Sequence, residues 1–302
     1  MRFADESRGR PYSKDPAVVR FKGVYTLYYS LPPAAPSVAG PTTWTIGIAR
    51  SNDLEHWEKV GEILPEAPYE SKGLCAPGAI VLAGHVHLFY QTYGNGPNDA
   101  LCHAVSEDGL HFTRNATNPI FKPTGAWNVG RAIDADVMPI GDRLLLYFAT
   151  RDPTMTTQML GVAAASLHSD FGRSQWVQVC AAPILKPELD WEKQCIEAPA
   201  VCSHEGRYFM FYAGGYNNEP QQIGCAVSDD GLTWTRLFDE PLLPNGGPGD
   251  WNASESGHPY VWVDDDGRTY LFFQGNHDHG QTWYLSKCEI GWRDGLPFLK
   301  NR

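Results

Sequence analysis

Basic charge is scarce in this chain of 302 residues: 24 lysines and arginines stand against 35 aspartates and glutamates, for a formal net charge of −11. So few cations leave no stripe of the kind that tracks phosphates, which argues against nucleic acid and anionic membrane surfaces as partners. Long apolar runs are missing too. Nowhere do eighteen consecutive apolar residues occur, and the first twenty (MRFADESRGRPYSKDPAVVR) lack the apolar stretch of a secretory signal. The expectation is a cytoplasmic protein, secreted only if a signal has been removed, that does not enter a membrane. The seven cysteines include no C-x-x-C pair and no Cys/His ligand spacing, which points to reduced thiols filling a core. Cys195, two residues before Glu197, is the one to test for reactivity. Disorder-prone composition is also absent, since 42% hydrophobic and 20% charged residues describe a folded globule.

What is present is a repeat. Five copies of a short β-type run, DPAVVRF from Asp15, APGAIVL from Ala76, DADVMPI from Asp134, EAPAVCS from Glu197 and HPYVWVD from His258, start 61, 58, 63 and 61 residues apart. Each is followed by a glycine turn and an aromatic-rich second run (VYTLYYS, HVHLFYQ, RLLLYFA, RYFMFYA, RTYLFFQ), then by a third. Tight acidic turns, SNDLEHW, SEDGLHF and SDDGLTW, lead to a fourth strand in three copies, with a looser version ending at Trp176 in copy three. Short strands with Gly/Asp/Asn punctuation at this period predict an all-β fold, a five-bladed β-propeller of four-stranded antiparallel blades around a central channel. No linker divides the chain, so residues 1–302 read as a single domain. Either the first ten residues or the segment after Trp292 would complete the last blade. Trp57, Phe112, Trp176 and Trp234, at the ends of the acidic turns, read as scaffold packed between blades.

In a propeller blade the first strand lines the channel, so the starts of the five first strands share one mouth. There the sequence puts Asp15, Ala76, Asp134, Glu197 and His258. Ionisable groups at the inner ends of buried strands are costly unless paired or functional, and three carboxylates on one ring point to catalysis. Trp44, Trp127, Trp191, Trp251 and Trp283 fall in loops on the same face, where exposed indoles can stack on sugar rings. Arg151 is placed to reach a substrate hydroxyl, and His258 and His277 complete the candidate sugar contacts.

Asp in a D-P opening blade one, Asp in an I-D-x opening blade three and Glu in an E-A-P opening blade four resemble glycoside hydrolase family 43, the arabinofuranosidase- and xylosidase-like propellers, over the whole chain. The resemblance implies Asp15 as general base, Glu197 as general acid and Asp134 as the residue that tunes the acid and orients the sugar. It also implies His258 as a channel histidine that holds a metal ion or water. Blade three departs from the family's I-D-P, reading Ile133, Asp134, Ala135, Asp136. By strand alternation Asp134 and Asp136 face the same way, so Asp136 could share the role. Arg151-Asp152-Pro153 imitates the R-D-P of fructan hydrolases but follows a second strand.

The expected reaction is cleavage of an arabinofuranoside, xyloside or related glycoside with inversion, Asp134 raising the pKa of Glu197 by like-charge repulsion. No cofactor is required, and the acidic axis would take a structural calcium ion or be relieved by protonation and water. Two alternatives stand beside this: a retaining β-fructosidase-like hydrolase, whose N-D-P-N-G and E-C signatures are absent, and a carbohydrate-binding propeller without catalysis. Whether the loop 31–44 (LPPAAPSVAGPTTW) walls off the channel mouth decides between exo and endo action.

Overall fold

In a computed structural model, which describes residues 1–300, the five repeats form five antiparallel sheets. Four are blades of four strands running outward in chain order. Blade one is Lys14–Phe21, Val24–Leu31, Thr45–Ser51 and Glu58–Ile63; blade two is Leu74–Leu82, His85–Thr92, Leu101–Ser106 and Thr113–Arg114. Blade three is Ile133–Ile140, Arg143–Arg151, Gln158–Ser166 and Val177–Gln178; blade four is Ile196–His204, Arg207–Gly214, Gln222–Ser228 and Thr235–Arg236. Blade five has Glu255–Val263, Thr269–Asn276 and Tyr284–Arg293. Its outer position is filled twice: Arg2–Phe3 pairs with Leu285 and Ser286, while Leu296–Leu299 pairs with Ile290–Arg293. Both chain ends therefore complete the last blade. The inner strands stand side by side in order, the fifth against the first, and so surround a channel.

Second strands are buried on both faces because each blade is sandwiched between two others, which is why they read as aromatic runs without alternation. Tyr28, Tyr147, Phe211 and Phe272 are all fully buried there. The acidic turns fasten neighbouring blades. Ser106 Oγ accepts from the Gly109 N–H and Asp108 Oδ1 from those of Leu110 and His111, each at 2.8 Å, and Ser228 and Asp230 repeat the pattern. The turn glycines, Gly109 and Gly231, both sit at φ +74°, and each carbonyl accepts at 2.9 Å from a buried tyrosine of the preceding blade, Tyr28 and Tyr147 respectively. The aromatics ending the turns pack edge-on against the previous blade: Phe112 on Tyr28, Trp176 on Phe89 and Trp234 on Tyr147. Trp57 packs on the core shared by blades five, one and two.

Candidate active site

Each inner strand opens with a β-bulge, and the bulged residue has a left-handed backbone: Asp15 at φ +52°, Ala76 at +46°, Asp134 at +53°, Ala198 at +50° and His258 at +41°. A bulge bends the strand and re-aims its side chain. Four of the five precede a proline, which lacks the ladder N–H. The strained N–H groups are held by side chains of the preceding blade: Asp15 N–H by Gln274 Oε1 at 3.1 Å, Ala76 N–H by Ser30 Oγ at 2.8 Å, Asp134 N–H by Gln91 Oε1 at 2.7 Å and His258 N–H by Gln221 Oε1 at 3.0 Å. This register corrects one alignment read from the sequence. Blade four's equivalent of Asp15 is Ala198, and Glu197 is one residue earlier, paired with Ala213 as Lys14 is paired with Ser30.

The offset does not remove Glu197 from the ring. Asp15, Asp134, Glu197, His258, Arg151 and Trp44 all line one cavity of about 380 Å³ at this mouth. Glu197 is clamped through both oxygens, Oε1 accepting from Gln221 Nε2 at 2.7 Å and Oε2 from Gln158 Nε2. Burial raises the pKa of Asp134 well above the carboxylate range, and the charges of Glu197 and then Asp15 raise it further. Asp15 Oδ1 lies 3.2 Å from His258 Nδ1, and burial holds that imidazole below its usual pKa despite the aspartate. Lys14 stands above the ordinary amine range because Asp15 and other acids outweigh its desolvation; its Nζ lies 4.4 Å over the Trp283 ring and 3.2 Å from Asn217 Oδ1.

Alternation misplaces Asp136. The bulge at Asp134 breaks the period of two, so Asp136 points down the channel, where it lines a separate cavity and its Oδ2 accepts from the Val201 N–H at 2.7 Å. Burial pushes its pKa up to about 7. The loop tryptophans also divide. Trp44 and Trp283 line the cavity, whereas Trp127, Trp191 and Trp251 pack into their own blades over glycines: Gly161, Gly214 with Gly224, and Gly275. A side chain at Gly214, Gly224 or Gly275 would collide with the indole, and one at Gly161 would collide with Phe148 and crowd Trp127, so these three plug loops. His277 is exposed and does not line the cavity. Asp152 caps its own turn, accepting from the Thr156 and Thr157 N–H groups. Cys195 is fully buried and its thiol is pushed well up by burial, so it is not poised to react. Among the described residues no group of three or more His, Cys, Asp or Glu could hold a metal ion. His258 is turned by Nδ1 onto Asp15.

Sequence reasoning missed Lys14, Arg131, Gln158, Tyr216 and Glu255. Glu255 is fully buried and pushed up to about 7 by burial; its Oε1 accepts from Gln274, whose amide oxygen holds Asp15. Lys14, immediately before Asp15, was the only one with a signal, a cation beside a candidate carboxylate.

Five blades around a carboxylate-lined cavity edged by aromatics define a propeller of the glycosidase class. The chain belongs to glycosyl hydrolases family 43, whose sequence model matches residues 10–297. It is 36% identical over 112 residues to sucrose-6-phosphate hydrolase of Zymomonas mobilis subsp. mobilis, covering 34% of this chain and 21% of that protein. To xylosidase/arabinosidase 43A of Humicola insolens it is 31% identical over 93 residues, covering 30% and 26%. It thus spans only about a fifth to a quarter of these curated relatives. Among solved structures, a thermostable family-43 glycoside hydrolase superposes with TM-score 0.74 at 21% identity, covering 96% of this chain and 93% of that one. A Bombyx mori GH32 beta-fructofuranosidase does so with TM-score 0.73 at 16% identity, covering 98% and 66%. Among the described residues no helix is long and apolar enough to cross a membrane.

Proposed function

We propose that the chain hydrolyses a glycoside, an arabinofuranoside, a xyloside or a related sugar, with inversion at the anomeric carbon. Glu197 gives its proton to the leaving oxygen as the C1–O bond breaks. Water attacks C1 from the opposite face, and Asp15 takes the proton that the water loses. Asp134 holds a proton of the carboxyl cluster in the resting site and orients the sugar, and Trp44 offers a ring face to it. The observation carrying this reading is the convergence of carboxylates from blades one, three and four on one cavity, with Asp134 driven toward its neutral form by burial and by the other two. The match to a xylosidase/arabinosidase supports the sugar class.

Proton NMR of the anomeric signals in the first minutes of hydrolysis tests the stereochemistry. Inversion implies a water between Asp15 and C1 and carboxyls about 6.5–9.5 Å apart, whereas retention implies a glycosyl-enzyme and about 5–5.5 Å. The second reading is the retaining β-fructosidase-like hydrolase, supported by the similarity to a sucrose-6-phosphate hydrolase, and a retained first product would favour it over ours.

A further inference from the structure

We propose that the corner of the cavity formed by Arg131, Arg151 and Tyr216 binds an anionic group on the substrate, a carboxylate or a phosphate carried beside the sugar being cleaved. This rests on the hydrolase reading above. Arg151 Nε and Arg131 Nη1 both donate to a single neutral acceptor, Gln158 Oε1, at 3.0 and 3.1 Å. That oxygen has two lone pairs and both are used, so two guanidiniums are brought together with most of their ten N–H donors directed elsewhere. Among the described residues Arg151 has no carboxylate within ion-pair distance. Its remaining contacts are the Met155 carbonyl at 3.4 Å and the face of Tyr216 at 4.9 Å. Arg131 is 12% exposed, and its nearest acid is Asp99, with Oδ2 3.8 Å from a buried Nε that makes no hydrogen bond. Burial raises the pKa of Asp99, and Arg131 opposes that rise.

Arg131 and Arg151 share the cavity with Asp15, Asp134 and Glu197, and Arg131 offsets part of the upward shift of Asp134, yet neither arginine forms an ion pair with those carboxylates among the described residues. Gln158 stands between them, giving its N–H to Glu197 and its oxygen to the arginines, so neither cation pairs with that carboxylate. What stays unmet is hydrogen bonding, since the buried Arg131 Nε has no acceptor and most of the guanidinium N–H groups have none either. Tyr216 fixes the geometry, because its hydroxyl is tied to the Thr156 carbonyl at 2.9 Å and its ring lies against Arg151. A planar guanidinium backed by an aromatic face, with its Nη2 N–H groups not used by the protein, suits capture of a carboxylate or phosphate oxygen. A neutral sugar would need only one such donor.

The test compares kcat/KM on neutral 4-nitrophenyl arabinofuranoside with that on counterparts carrying a carboxylate or a phosphate at C5. The wild type is expected to prefer one anionic substrate at least tenfold, and which one identifies the anion. Arg151→Gln and Arg131→Gln should each lower the anionic-to-neutral ratio roughly 10- to 100-fold, the worth of a charged hydrogen bond. A ratio unmoved by both substitutions overturns the proposal. Calorimetric binding of glucuronate and inorganic phosphate separates it from the hydrolase reading: binding lost in Arg151→Gln supports the corner even if no aryl glycoside is cleaved. Cleavage of neutral glycosides with neither anion bound refutes the corner and leaves the hydrolase standing. Should Arg151→Gln fail to fold, Arg151→Lys, which keeps the charge but loses the fork, is expected to lower the same ratio, and an unchanged ratio counts against the proposal.

Discussion

At the scale of single residues, Asp136 shows how far one backbone torsion reaches. Read as a strand, Asp134 and Asp136 share a face; the left-handed torsion at Asp134 sends one into the cavity and the other to a backbone N–H of blade four. No residue type announces that torsion, since aspartate enters the left-handed region only occasionally, and so the bulge was not legible. Asp136 carries a pH signature instead. Its folded pKa, about 7, lies above the usual 3.8, so its contribution is fully present below about pH 4 and is lost as pH rises through 7. Asp136→Asn keeps the acceptor for the Val201 N–H and removes the ionisation. Urea unfolding at pH 5 and pH 8 should show the wild type losing more stability between the two than the variant, by on the order of 1–3 kcal/mol. Equal losses would mean that Asp136 stays charged in the fold. Asp134→Asn should damage activity more than Asp136→Asn, and the reverse ranking would reassign the tuning role.

At the scale of elements, the blades were readable because each turn needs particular residues. Ser and Asp side chains that satisfy turn N–H groups, and a glycine at positive φ, recur at a fixed offset from the strands. The aromatic loops were less readable. A tryptophan over a glycine and a tryptophan over a cavity look alike in sequence, and the distinguishing glycines, Gly161 and Gly224, lie on third strands more than thirty residues away from Trp127 and Trp191. The same close packing allows a comparison between turns. A methyl at Gly231 would sit 2.4 Å from Ile140 Cδ1 and 3.0 Å from the Tyr147 hydroxyl, whereas one at Gly206 meets nothing within 4 Å. Both positions have positive φ, +74° and +80°, so each alanine substitution carries a backbone cost of roughly 1–2 kcal/mol. Gly231→Ala should cost at least about 1 kcal/mol more, from the clash and the disturbed bond to the Gly231 carbonyl. Urea midpoints that fall equally for the two would show that the turn does not join the blades.

At the scale of the whole molecule, the ring brings together residues that sequence separates by well over a hundred positions. Asp15 and Glu197 were legible because each opens a repeat. Gln158, Gln221 and Arg131, which clamp or flank Glu197, belong to no motif and become neighbours only when the ring closes. Closure itself uses both chain ends on the last blade, a solution that neither end signals alone. The central claim is that this cavity does acid–base chemistry on a glycosidic bond, and the most direct measurement is the steady-state kinetics of Asp15→Asn and Glu197→Gln on a panel of aryl glycosides, with melting temperature followed in parallel. Each substitution keeps shape while removing the group that moves the proton, so kcat should fall roughly 10²–10⁴-fold with the folded state intact. A variant that folds like the wild type and keeps full kcat would contradict the account.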